Sequence, residues 1–177
     1  MPIYWRGRSR SGRRRPGRVP ARINLYKQEV ASDSGAVPYD PTMQTLLFAL
    51  GLILFLLGLV TGLAIPAVKN PRMGLASHLQ GMTNGPFLIL LGLLWPHLDL
   101  AHVWQVVTVA LLAYGTYANW LATQLAAIWG AGRKFAPGAA GGHAASAAKE
   151  GLVNFLLVSL APAMIAASLI LIVGVLR

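Results

Sequence analysis

Cysteine is absent from the 177 residues, which excludes disulfides, a protein thiolate nucleophile and cysteine-ligated iron–sulfur clusters. Charge is scarce too. Only 11% of residues are charged, against about a quarter in an ordinary soluble domain. The scarcest are the acids, five Asp and Glu against fifteen Lys and Arg. Nine of those bases (Arg6, Arg8, Arg10, Arg13, Arg14, Arg15, Arg18, Arg22 and Lys27) and three of the acids (Glu29, Asp33 and Asp40) precede Met43. From Met43 onward only Lys69, Arg72, Asp99, Arg133, Lys134, Lys149, Glu150 and Arg177 are formally charged.

What fills the remaining chain is apolar. Hydrophobic residues make up 55% of the sequence and mean hydropathy is +0.57. The intervals Asp40–Lys69, Arg72–Asp99, Asp99–Arg133 and Glu150–Arg177 contain no formal charge. Each can hold the roughly 20 apolar residues that cross a bilayer core of about 30 Å. A Lys, Arg or Asp in mid-membrane costs about 2.5–3.5 kcal/mol on insertion scales, which explains why such intervals stay clean. The expectation is an all-α integral membrane protein, a four-helix bundle over 43–177 with spans at about 45–68, 75–95, 103–129 and 151–176.

Residues 1–42 differ from the rest. The run RGRSRSGRRRPGR is basic and of low complexity, too poor in apolar residues to fold alone. It also lacks the short apolar region and cleavage site of a secretory signal. Three readings stand: a disordered tail touching anionic lipid headgroups, a nucleic-acid contact, which no recognisable fold supports, or translation that starts at Met43. Orientation depends on this segment. Its arginines argue for a cytoplasmic N-terminus, whereas Lys69, Arg72, Arg133, Lys134 and Lys149 on the odd loops argue the reverse.

Within the spans, Gly58 and Gly62 form a small-xxx-small pair suited to close helix approach. Pro66 and Asn70-Pro71 end the first span, and Trp95-Pro96 ends the second. The third loop, GAGRKFAPGAAGGHAASAAKE, is long enough to have a task such as covering a site. Polar residues at membrane depth need partners and are the first places to look for function. In SHLQGMTNGPF they are His78, Gln80, Thr83 and Asn84, followed by Gly85 and by Pro86, which predicts a kink or a freed carbonyl. His78 and Asn84 lie about 120° apart on an ideal helix and do not share a narrow face.

On the third span, with Thr108 at zero, Gly115 falls at about −20°, Asn119 at about 20°, Thr123 at about 60° and Thr116 at about 80°. Tyr114, Tyr117 and Trp120 border this polar stripe. Taken alone, the stripe reads equally as hydrogen-bonding between helices. Glu150 and Asn154 stand one turn apart at the start of the fourth span, where Glu150 suits a helix cap as well as it suits chemistry.

The segments NPRMGLASHLQGMTNGPFLILLGLLWPHL, LLAYGTYANWLATQLAAIWGAG and EGLVNFLLVSLAPAMI resemble the hydroxylaminobenzene mutases of nitroarene-degrading bacteria. The resemblance covers roughly Met43–Arg177 and leaves the basic tail unmatched. It implies an isomerase of the bacterial inner (cytoplasmic) membrane that converts hydroxylaminobenzene to 2-aminophenol by intramolecular hydroxyl transfer, without NAD(P)H. The chain is more distantly similar to styrene oxide isomerase, sharing the spacing histidine, five residues, asparagine, glycine at His78, Asn84 and Gly85. That similarity implies haem b with His78 as axial ligand to the iron, Asn84 facing substrate, and a homo-oligomer, a trimer. A gapless match places Thr123 near that family's third-helix tyrosine, with Tyr117 as the substitute. In this reading Asn84, Tyr117 and Asn119 are catalytic. Asn84 and Asn119 hold the departing hydroxyl, Tyr117 gives a proton, and Tyr114, Trp120 and Thr123 contact the aromatic hydroxylamine. The alternatives are an epoxide isomerase and a non-catalytic membrane protein such as a transporter subunit. No nucleic-acid partner is expected.

Overall fold

The computed structural model describes residues 41–177. The basic segment, with the readings attached to it, lies outside the described residues. The helices are α1 (Pro41–Ala64), α2 (Pro71–Leu94), α3 (His102–Trp129), the short α4 (Pro137–Ala140) and α5 (Ala147–Leu176). No strand occurs among the described residues. Pro66 and Pro96 each sit in a 3-10 turn, Ile65–Ala67 after α1 and Trp95–His97 after α2. These are the stops expected where a proline cannot continue the hydrogen-bond ladder.

Helices α1, α2 and α5 begin earlier than hydropathy suggests. The Asn70 side-chain oxygen accepts hydrogen bonds from the Arg72 and Met73 amides at 3.1 and 3.3 Å. Pro71 then fills the first helical position, where its missing N–H costs nothing. Asn70-Pro71 therefore opens α2 as well as ending the preceding segment. Helix α5 starts at Ala147, after Ser146. Pro86 does not break α2, which continues through it to Leu94.

The long helices pack in chain order. α1 lies along α2, α2 along α3 and α3 along α5, with a smaller contact between α1 and α3. Buried Leu47, Leu54, Leu88, Leu91, Trp95, Val109, Leu112, Ala167 and Leu171 form the main core. Met73, Ala126, Ala127, Ala131 and Val153 form a second core at the opposite end. Many leucines and isoleucines face outward, among them Leu52, Leu56, Leu63, Leu90, Ile165 and Leu169. Outward apolar residues in this number suit lipid and not water. Helix α1 with its 3-10 turn, α3 and α5 are long and apolar enough to cross a membrane. Helix α2 matches α1 in length at 24 residues, but Arg72, His78, Gln80, Thr83 and Asn84 lower its hydropathy.

The α1–α2 seam is made by glycine. A Cβ added at Gly58 would stand 2.8 Å from the Gly81 carbonyl carbon, and one added at Gly85 would stand 2.8 Å from the Gly51 oxygen. Real side chains do not fit there, so backbone meets backbone. Gly81→Ala is expected to force α1 and α2 apart, at a cost of about 1–3 kcal/mol. A lowered thermal midpoint in detergent would record it; an unchanged midpoint would show that the seam can yield.

Candidate functional site

Three groups of side chains are the candidates for chemistry, and they occupy different sides of the helices. The first is His78 on α2. Its Nδ1 lies 2.8 Å from the Gly58 carbonyl oxygen of α1. A carbonyl can only accept, so Nδ1 carries the proton and donates. The neutral ring then has an unprotonated Nε2, which has no protein partner among the described residues. Gly62, one turn beyond Gly58, makes room for the ring: a Cβ there would stand 2.7 Å from His78 Nδ1. Among the described residues no three His, Cys, Asp or Glu side chains gather to hold a metal ion.

The second group joins α2 to α3. Asn119 Nδ2 donates to Gln80 Oε1 at 2.7 Å. Asn84 Nδ2 donates to the same oxygen and to the Thr116 carbonyl, both at 3.4 Å. Asn84 thereby uses both of its amide protons, and what remains open on it is Oδ1. Gln80 and Asn84 stand one turn apart on one face of α2, so they meet as helical spacing requires. The structure thus brings Asn84 and Asn119 together, but through Gln80.

The third group is aromatic. Tyr114, Tyr117, Ala118, Trp120, Leu121 and Leu156 line an apolar cleft of about 230 Å³ on α3. The polar ends of its rings are tied down. Tyr117 OH donates to the Leu50 oxygen at 2.8 Å, Trp120 Nε1 to Thr61 Oγ1 at 3.3 Å, and Tyr114 OH lies 2.5 Å from Ser159 Oγ. The cleft therefore offers ring faces and no unpaired phenol. Tyr117 and Asn119 point about 160° apart around α3, so cleft and amide cluster lie on opposite sides of that helix.

The threonines of the third-span stripe are bound within their own helix. Thr116 Oγ1 donates to the Leu112 oxygen at 2.7 Å, and Thr123 Oγ1 donates to the Asn119 and Trp120 oxygens at 3.0 and 2.9 Å. Among the described residues, Asn119 is the stripe member whose side chain bonds across to a neighbouring helix. Gly115 receives the Met164 side chain from α5. Glu150 neither caps its own helix nor joins these groups. Its Oε2 accepts from the Gly132 and Arg133 amides at 2.9 and 3.2 Å, fastening the α3–α5 loop. Asn70 also anchors the loop, donating to the Ala139 oxygen at 3.0 Å, and Lys69 and Arg72 reach the Ala144 and Gly138 oxygens.

Residues 43–176 match the family model described as styrene oxide isomerase. A protein of Ectopseudomonas oleovorans named hydroxylaminobenzene mutase HabA is 67% identical over 135 residues, spanning 76% of this chain and 100% of that protein. Hydroxylaminobenzene mutase HabB, from the same organism, is 52% identical over 126 residues, 71% of this chain and 77% of its own length. No solved structure matches.

Gly62→Ala tests the built position of His78. The added methyl is expected to push the ring off the Gly58 carbonyl. Nitrogen NMR of histidine-labelled protein should then lose the single Nδ1-protonated form expected for His78 in the wild type. An unchanged His78 signal would mean that Gly62 does not set the ring.

Proposed function

The chain belongs to the styrene oxide isomerase family, and we propose that it is a membrane-bound isomerase converting hydroxylaminobenzene to 2-aminophenol. The observation that carries this reading is the 67% identity over 135 residues that spans the whole of HabA. The proposed setting is the bacterial inner membrane, crossed by α1, α3 and α5, with α2 as a fourth span. Its polar residues there are served by the Gly58 carbonyl, Thr116 and Asn119.

The reaction is redox-neutral overall. The N–O bond breaks with its electron pair on oxygen, and that oxygen forms a C–O bond at the ortho carbon. The ortho proton leaves and the nitrogen takes up one proton, so neither nicotinamide nor another reductant is consumed. The tasks left to the protein are to hold the substrate, stabilise charge on the departing oxygen and keep out water that would capture the ring cation. Asn84 and Asn119 present amide oxygens that accept from the substrate N–H and O–H. Tyr114, Tyr117 and Trp120 lie on the opposite side of α3, where they would supply an apolar wall to the substrate of a neighbouring copy. With its hydroxyl on Leu50, Tyr117 serves as wall in this arrangement rather than as the proton donor expected from sequence.

His78 would suit a ligand to haem iron, because a metal-bound histidine usually donates its other ring N–H to a carbonyl or carboxylate. Haem b held there would supply a Lewis-acidic iron for an oxygen that carries developing negative charge. His78 and the amide cluster sit on different sides of α2, bonded to α1 and α3 respectively. An assembly of copies, the trimer implied by the family likeness, would set the His78 edge of one copy against the amide face of the next.

The test is anaerobic incubation of membranes containing the protein with N-phenylhydroxylamine and without NAD(P)H. Protein-dependent 2-aminophenol is expected; none from folded protein would sink the reading. The family model's own description favours a second substrate, styrene oxide, and its turnover in place of phenylhydroxylamine would establish an epoxide isomerase. Absence of both activities would leave a non-catalytic bundle.

Two substitutions divide the roles. His78→Ala is expected to abolish a haem absorption spectrum and activity together, whereas Asn84→Ala keeps the spectrum and loses most turnover. If copies share the site, co-expressing the two variants restores part of the activity that each lacks alone. Failure to restore it would place the whole site within one copy.

A further inference from the structure

Donor and acceptor accounting within the amide cluster singles out a residue that the family motif does not include. Gln80 Oε1 takes hydrogen bonds from Asn119 at 2.7 Å and from Asn84 at 3.4 Å. Both Asn84 protons are used, the second on the Thr116 carbonyl, and one of the two on Asn119 is used. The Gln80 amide nitrogen donates to nothing among the described residues, nor is it among their sealed, unpartnered atoms. The cluster therefore has a fixed polarity. Two free N–H groups on Gln80 stand beside the open oxygens of Asn84 and Asn119. They sit near the middle of α2, where an unpartnered polar group is costly in an apolar medium and a ligand can relieve it.

A hydroxylamine has the complementary pattern, with an oxygen that accepts and N–H and O–H groups that donate. Resting on the mutase reading above, we propose that Gln80 holds the departing hydroxyl oxygen through its amide N–H groups and so determines that it returns to the ortho carbon. When the N–O bond breaks, the electron pair stays on the oxygen, where hydrogen bonds from Gln80 stabilise it. That oxygen then gives a pair to the adjacent ring carbon; the ring proton leaves and the nitrogen gains one. An oxygen held beside the nitrogen can reach the ortho carbon but not the para carbon across the ring. An oxygen that escapes is replaced by water, which attacks para as well.

The experiment uses the full-length protein in membranes and phenylhydroxylamine carrying heavy oxygen on nitrogen. Gln80→Glu keeps an acceptor for both asparagines but removes the amide donors; Gln80→Asn keeps both group types on a shorter stem. The wild type is expected to yield only 2-aminophenol with the label retained. Gln80→Glu should lose about a hundredfold in kcat, the effect of removing a donor to a developing oxyanion, with KM changed far less. Its residual product should include 4-aminophenol and unlabelled oxygen from water. Gln80→Asn should fall between the two, with a readable rate and mixed label.

Thermal midpoint and assembly size, measured on the same samples, separate a structural role. Variants that make only labelled 2-aminophenol overturn the proposal, whether their rate is unchanged or falls with the thermal midpoint or the assembly. Wild-type protein that makes no 2-aminophenol removes the mutase reading and this proposal together. Wild-type turnover with unaltered product partition in the variants removes this proposal alone.

Discussion

The close approach of α1 to α2 is the constraint from which the site follows. Gly51 and Gly58 on one helix meet Gly85 and Gly81 on the other, so the two backbones touch where side chains would ordinarily intervene. Only at such a distance does the imidazole of His78 reach the Gly58 carbonyl. That carbonyl in turn fixes which ring nitrogen keeps its proton and which presents a lone pair. A bulkier seam would leave the histidine in place along the chain but free to rotate, with neither nitrogen assigned. Packing thus sets the chemistry of an unbonded nitrogen through the one that is bonded.

The same seam fixes what α2 can show on its other side. With the glycine edge and His78 turned to α1, helical geometry carries Gln80 and Asn84 round toward α3. There they find Asn119 and the Thr116 carbonyl. The polar residues of α2 are thus divided between two neighbours. This is how a helix with a histidine, a glutamine and an asparagine in its middle can lie among apolar partners. Each of these three residues has at least one bond to an adjacent helix.

Much of the architecture was legible because charge is so unevenly distributed. Long intervals without Lys, Arg, Asp or Glu located all four long helices, and prolines located the ends of α1 and α2. The start of α2 was less visible to hydropathy, since Asn70, Pro71 and Arg72 are polar or rigid, although they spell a helix cap. The angular separation of His78 and Asn84 could be read from 100° per residue and corresponds to their different partners. Periodicity does not say which neighbour a face meets, so Gly62 read as part of a helix contact although it accommodates the His78 ring. Nor does it say whether a hydroxyl bonds outward. Thr116 and Thr123 read as a polar stripe, yet both turn back on their own carbonyls. Gln80 was visible as a polar residue, but its place between two asparagines required α3 to be set beside α2.

The order of packing also bears on how the chain assembles. Each long helix lies against the one that precedes it, so most contacts join neighbours in sequence. Contacts of this kind form quickly, because little chain has to be closed into a loop before they are made. A helix emerging from synthesis would find its predecessor already in place, and an open polar face would wait only for the next helix. Helix α2, whose amides most need company, would pass only briefly without α3. The arrangement therefore protects the least apolar helix during the interval when it is most exposed to wrong partners.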